Sequence, residues 1–252
     1  MKHFSKLSDK TQSDVDTEME NEPQLLMNSF SDSNNSLLML NNDFSVSELE
    51  KVITKLKTGK AAGSDGILNE VIVSTFQKLK TFWCKLFNRI LETGNLPTEW
   101  LNGLIVPIYK NKGDITDPSN YRGITLLSCS AKFFTAVVNE RLRIFSDACN
   151  ILLNNQAGFR PNHSTTDHIF VLKTLSDIMR NRKRKLFCAF VDYEKAFDKV
   201  WHTGLWIKLL KNGISGKLLT VLVNIYKGIT SCISAHNSTS DSFNILQGVR
   251  QG

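Results

Sequence analysis

Asp192 is the residue of this chain whose type and place most invite chemistry. It closes an apolar run, Leu186, Phe187, Cys188, Ala189, Phe190 and Val191, that reads as a buried strand. A carboxylate at the end of such a strand is costly unless a cation meets it. A divalent ion carrying a nucleoside triphosphate is one such partner, and an aspartate at this place also suits the cap of a following helix. Asp198, further on, reads as a carboxylate on that helix's surface. Lys110 ends one predicted strand and Arg122 begins the next. Two cations on facing strands suit a triphosphate, and they equally suit the solvated charge of an ordinary hairpin; Lys112 carries the same two readings. In QAGFRPNHSTTDHI (156–169), a turn containing Arg160 leads into a helix opened by Ser164 or the Asn162 region, an arrangement suited to a phosphodiester backbone. His163, Asp167 and His168 invite a metal reading, but only His163 and Asp167 share a helix face and no convincing third ligand is local. GKAAGSDG lacks the glycine-lysine-hydroxyl ending of a P-loop.

The elements that must hold these residues follow from period and punctuation. Ser45 and Glu48 form a capping box, and Val46, Leu49, Val52, Ile53 and Leu56 recur at helical spacing, predicting a helix over 46–57. Three glycines in TGKAAGSDGI (58–67) break it, and a second helix is predicted over 69–93. Residues 103–109 and 123–127 read as a hairpin with a long, mobile tip, Pro107 placing its first strand at a sheet edge. Helices are predicted over 128–147 and 163–181, then the strand to Asp192, then a helical pair (201–212 and 215–227) broken at Gly213. A second hairpin pairs 230–235 with 242–247. Helices, hairpin, helices, strand, helices, hairpin is an α+β order, with no repeating βαβ unit.

Charge is divided unevenly along the chain. Residues 1–50 hold three lysines, no arginine and ten carboxylates, so the other 28 basic and 14 acidic residues carry +14 against a whole-chain +7. A body this basic suits a polyanion, nucleic acid first, or is simply a soluble basic protein. RNRKRK (180–185) suits nucleic acid, a nuclear-import signal or a solvated turn. The five cysteines are scattered with no CxxC pair, which predicts reduced, buried thiols. No apolar run is long enough to span a bilayer, and no signal peptide opens the chain, which predicts an intracellular protein, nuclear or cytoplasmic.

Taken in order, these pieces resemble the reverse transcriptase of non-LTR (LINE-like) retrotransposons, from about residue 44 to 252. GKAAGSDGI resembles its N-terminal motif, LIVPIYKNKGD and NYRGITLLS its fingers motifs, and QAGFRPNHSTTDHI its template-side motif. FVDYEKAFDKVWH resembles the palm motif with the first catalytic aspartate, and GVRQG the start of the next. The resemblance implies a right-hand polymerase fold with fingers and a partial palm; residues 1–43, rich in Ser, Asn, Asp and Glu, read from composition as an acidic, poorly ordered lead or linker. It implies Asp192 as the catalytic ligand of two Mg²⁺ ions, and the backbone from Tyr193 to Ala196 as a support for the triphosphate. Phe197 becomes a steric gate against a ribose 2′-OH. Lys110 and Arg122 hold the triphosphate, Gln251 and Gly252 lie beside nucleotide and template base, and Arg160 and Ser164 follow the template. The implied partners are an RNA template, a DNA primer and dNTPs, with no membrane. The family's palm continues into a hairpin with two adjacent aspartates and then a thumb, and an endonuclease domain often precedes it. No two aspartates are adjacent here. The chain is therefore expected to be inactive by itself, and the 186–192 strand to lack neighbours along its edges. The alternatives are a non-catalytic nucleic-acid-binding module, a functionless retroelement relic, and a reverse transcriptase of the intron-maturase or telomerase lineage.

Overall fold

The computed structural model describes residues 39–235 and 238–250. They fall into two compact units, the described residues up to 145 with those from 195 onward, and 146–194. In chain order the helices are α1 (Val46–Ile53), α2 (Asn69–Thr93), α3 (Thr98–Leu101), α4 (Cys129–Ala148), α5 (Thr165–Asn181), α6 (His202–Lys211) and α7 (Gly216–Tyr226). The strands are β1 (Asn102–Tyr109), β2 (Tyr121–Leu126), β3 (Thr230–Ala235), β4 (Ser238–Thr239) and β5 (Phe243–Asn244).

The larger unit is built around α2 and α4. The backbone N–H of Ser45 donates to Glu48 Oε2 at 2.8 Å, so α1 opens on the predicted capping box. It ends at Ile53 rather than 57, because the N–H groups of Lys55 and Leu56 reach back only to Val52 and Ile53 and tighten the last turn. Along α2, Ile72, Phe76, Trp83, Phe87, Ile90 and Leu91 are buried at helical spacing. The Phe87 ring meets Phe133 and Phe134 of α4 edge-on, at 5.1 and 5.0 Å. Such aromatic contacts add about 0.5–1.5 kcal/mol each to the burial term.

Arg141 of α4 is only 4% exposed. Its guanidinium donates to the Leu40, Asn42 and Asp43 carbonyls and to Glu48, and it lies 4.0 Å over the Phe44 ring. This one side chain fastens residues 40–44, with Leu40 fully buried, onto the helical core.

The strands form one sheet of order β2-β1-β3-β4, with β5 also on β3. β1 and β2 are antiparallel from Leu104↔Leu126 to Tyr109↔Tyr121, whereas β1 and β3 are parallel. The edge position expected of β1 is therefore corrected: it lies between β2 and β3. Pro107 is tolerated because β3 pairs only with residues 102–105, so the missing N–H falls beyond that ladder.

The smaller unit overturns the central expectation about burial. Residues 184–193 form no strand, and Phe187, Phe190 and Val191 are 87%, 83% and 77% exposed. Among the described residues no strand pairs with them, and an apolar run cannot bury its faces or satisfy its backbone without such partners. Helix α5 likewise buries none of its residues. The thiols correct in the same way. All five cysteines are free and Cys129 is buried, but Cys188 on the unpaired run and Cys149 just past α4 are exposed.

Candidate functional site

The β1–β2 hairpin brings two predicted cations together. Ile108 pairs with Arg122, and sides alternate along a strand, so Ile108, Lys110 and Arg122 share one face. All three are exposed. The backbone N–H of Lys110 donates to the Asn120 carbonyl and its Nζ to the Ser119 carbonyl, both at 2.9 Å. The tip expected to be mobile is closed by its own bonds. Asn120 Nδ2 donates to the Asp114 carbonyl and the Tyr121 hydroxyl to the Ile115 carbonyl, each at 2.8 Å. Hydrogen bonds from the Thr116 backbone and hydroxyl hold the Asp114 carboxyl below its ordinary value.

A second cluster joins the end of FVDYEKAFDKVWH to GVRQG. Residues 194–199 are turns rather than the expected helix, so Asp198 does not sit on a helix surface. The backbone of Asp198 instead packs against Gly248, where an added Cβ would stand 2.6 Å from the Asp198 carbonyl oxygen at φ +86°. Gly248 N–H donates to the Val200 carbonyl and Val249 N–H to the Phe197 carbonyl, both at 2.8 Å. His202 Nε2 lies 2.7 Å from the Gly248 carbonyl. That oxygen can only accept, so Nε2 carries the proton. Arg250 donates to the Trp100 carbonyl at 3.4 Å and to the Leu101 carbonyl. Burial pulls its pKa down to about 10 and pushes the Tyr226 hydroxyl up. Gln251 and Gly252 lie outside the described residues.

Asp192 and Tyr193 belong to the smaller unit and are exposed, Tyr193 by 77%. Phe197, in the larger unit, is 41% exposed. Arg160 is half-buried, and its Nη1 donates to the Leu153 carbonyl at 2.9 Å, within its own turn. Ser164 opens α5, with its backbone N–H donating to Asp167 Oδ2 at 2.8 Å, so Asp167 serves the helix end.

The sequence reading missed three features. Arg141 is one. The His202–Arg250 pair is another, although both lie inside motifs already singled out. The third is Gly63, where an added Cβ would stand 2.5 Å from Leu127 C and Ser128 N. The glycine-rich loop thus lies close against the Leu127–Ser128 backbone, the end of NYRGITLLS. Glu70 secures its start by accepting from Gly59 N–H at 2.5 Å, a bond that lowers the carboxyl's pKa.

Comparison with known proteins decides the family. The family described as reverse transcriptase (RNA-dependent DNA polymerase) matches residues 108–252, more than half of the chain. This chain belongs to the reverse transcriptase family. The probable RNA-directed DNA polymerase from transposon X-element of Drosophila melanogaster is 28% identical over 211 residues, covering 83% of this chain and 23% of that protein. The RNA-directed DNA polymerase from mobile element jockey of Drosophila melanogaster is 30% identical over 206 residues, covering 81% and 22%. The Pol polyprotein from type-1 retrotransposable element R2 of Nasonia vitripennis is 23% identical over 192 residues, covering 76% and 18%. These relatives are non-LTR retrotransposon proteins. This reverse transcriptase chain spans about a quarter of the length of the first two. Among the described residues no helix is long and apolar enough to cross a membrane.

Reverse transcriptases use divalent metal ions, and the described residues do not make up such a site. Among the described residues no three His, Cys, Asp or Glu side chains converge into a metal site, and Asp192 is exposed. Two divalent ions need several oxygen ligands between them.

Proposed function

We propose that residues 44–252 are the fingers and the first part of the palm of an RNA-directed DNA polymerase, which adds dNTPs to a primer 3′-OH on an RNA template. The observation that carries this reading is the pair of exposed cations, Lys110 and Arg122, on one face of the hairpin. Diagonal neighbours on one face of a strand pair stand about 7–8 Å apart, a span a polyphosphate can bridge. In this reading they grip the triphosphate, the backbone at Tyr193 supports it, and Phe197 crowds a ribose 2′-OH. Gln251 and Gly252 flank the nucleotide, while Arg160 and Ser164 follow the template. Asp192 is the catalytic carboxylate, with Mg²⁺ as the family's divalent ion. Since its surroundings here do not complete a metal site, the 252-residue chain binds nucleotide without extending a primer.

The test is titration of the chain with fluorescent dATP, beside primer extension on an RNA template. Lys110→Ala and Arg122→Ala should each weaken dATP binding about tenfold, about 1.4 kcal/mol for one lost charge-assisted contact. Primer extension should not exceed that of Asp192→Ala. Equal affinity in all three proteins would sink the role of the hairpin cations.

A non-catalytic nucleic-acid-binding module is favoured by one observation, the wholly exposed basic run from Arg180 to Lys185. RNA binding that survives loss of dATP binding would select it.

A further inference from the structure

The 248–250 turn is held by far more than chain connectivity. Two backbone bonds tie it to Val200 and Phe197. His202 bonds the Gly248 carbonyl from one side, while its ring is packed 5.0 Å from Tyr226 and 6.2 Å from Trp206. Arg250 reaches the carbonyls that end α3 at Trp100 and Leu101. Its buried Nε has no partner, so a cation has been taken out of water for the sake of two carbonyls. Gly248 itself tolerates no side chain against the Asp198 backbone. The result is a clamp with Phe197 as one of its anchor points, since the Phe197 carbonyl receives the Val249 N–H.

We infer that His202 and Arg250 are positioning residues. They lock the 248–250 turn onto residues 197–200 and so fix Phe197, which sets the preference for deoxyribo- over ribonucleotides. This rests on the reading that Phe197 faces the nucleotide sugar. Neither residue touches the nucleotide; both act through the backbone that carries Phe197.

The 252-residue chain tests it in two measurements. One is amide hydrogen exchange at Gly248 and Val249. The other is the ratio of dATP to ATP affinity, read by displacement of fluorescent dATP. His202→Phe keeps the ring stack and loses the bond to Gly248; Arg250→Lys keeps the charge and loses the two-carbonyl grip. Both should speed exchange at the two amides at least tenfold, leave exchange within α7 unchanged, and reduce the dATP preference towards that of Phe197→Ala. His202→Gln, whose Nε2 can reach the same carbonyl, should restore both values. Unchanged exchange at Gly248 and Val249 overturns the clamp. Faster exchange with an intact preference, while Phe197→Ala abolishes it, overturns the positioning role alone. A preference untouched by Phe197→Ala, or no dATP binding by the wild-type chain, overturns the reading of the nucleotide site on which the inference stands.

Discussion

At the scale of residues, the side chains with the strongest physical commitments are not those whose types announce chemistry. Asp192 stands in solvent, whereas Arg141 is 4% exposed and donates to three carbonyls and a carboxylate. The carboxylate is the lesser partner, because the Glu48 side chain remains 33% exposed and water can replace the arginine there. The Leu40 carbonyl has no such recourse in a residue that is fully buried. Arg141→Met should therefore cost about 3 kcal/mol, two or three carbonyls losing their donor at roughly 1 kcal/mol or more each. Glu48→Gln should cost about 1 kcal/mol, from the surface pair and the weakened capping box together. Urea unfolding of both variants separates the cases. Equal losses would mean that the ion pair, not the carbonyls, carries the contact.

At the scale of elements, most helices were legible, and the exposure of the run to Asp192 was not. The predicted bounds of α2 and of the pair α6 and α7 stand within a residue or two, because periodicity, caps and glycine breaks are local signals. The run to Asp192 has a strand's composition but, among the described residues, no strand beside it, and partners are not written in the run itself. The parallel pairing of β1 with β3 was equally invisible, since it joins residues 102–105 to 230–233 across about half of the chain. The candidate site divides along the same line. Lys110 and Arg122 could be paired from the hairpin pattern, while His202 and Arg250 needed the fold to bring two motifs together.

One consequence at this scale concerns acid. Glu140 on α4 accepts from Arg143 at 2.8 Å and pairs with Lys55, beyond the end of α1, at 3.4 Å. The Arg143 hydrogen bond is the larger cause holding its pKa low, with Lys55 contributing less. A carboxylate lowered in the folded state stabilises fully above its unfolded pKa, about 4.3 for Glu, and loses that contribution as pH falls through the folded value. Glu140→Gln should thus lower stability by up to about 1 kcal/mol at pH 7 and converge with wild type in acid. Thermal melts at pH 7 and pH 3 check it. An equal gap at both pH values would mean that shape, not charge, is what Glu140 supplies.

For the whole molecule, charge and exposed apolar surface point the same way. The chain is +7 overall despite an acidic start, and the smaller unit leaves Arg182, Lys183, Arg184 and Lys185 exposed beside the bare rings of Phe187 and Phe190. Basic side chains displace counterions from a polyanion, and nearby aromatics give unpaired bases a surface to stack on. The family's template is RNA, so single-stranded RNA is the ligand to titrate. Affinity should fall with salt at a log–log slope of about −0.7 for each phosphate neutralised. Changing those four residues to alanine should make the slope shallower by about 3, if each meets one phosphate. It should leave the melting temperature unaltered, because exposed residues with no packing role rarely change stability. A Phe187→Ala, Phe190→Ala double variant should weaken binding without changing the slope, since stacking releases no counterions. If the four-alanine variant kept the wild-type slope, the RNA would be held by other basic residues, and Arg182 to Lys185 would have no part in gripping it.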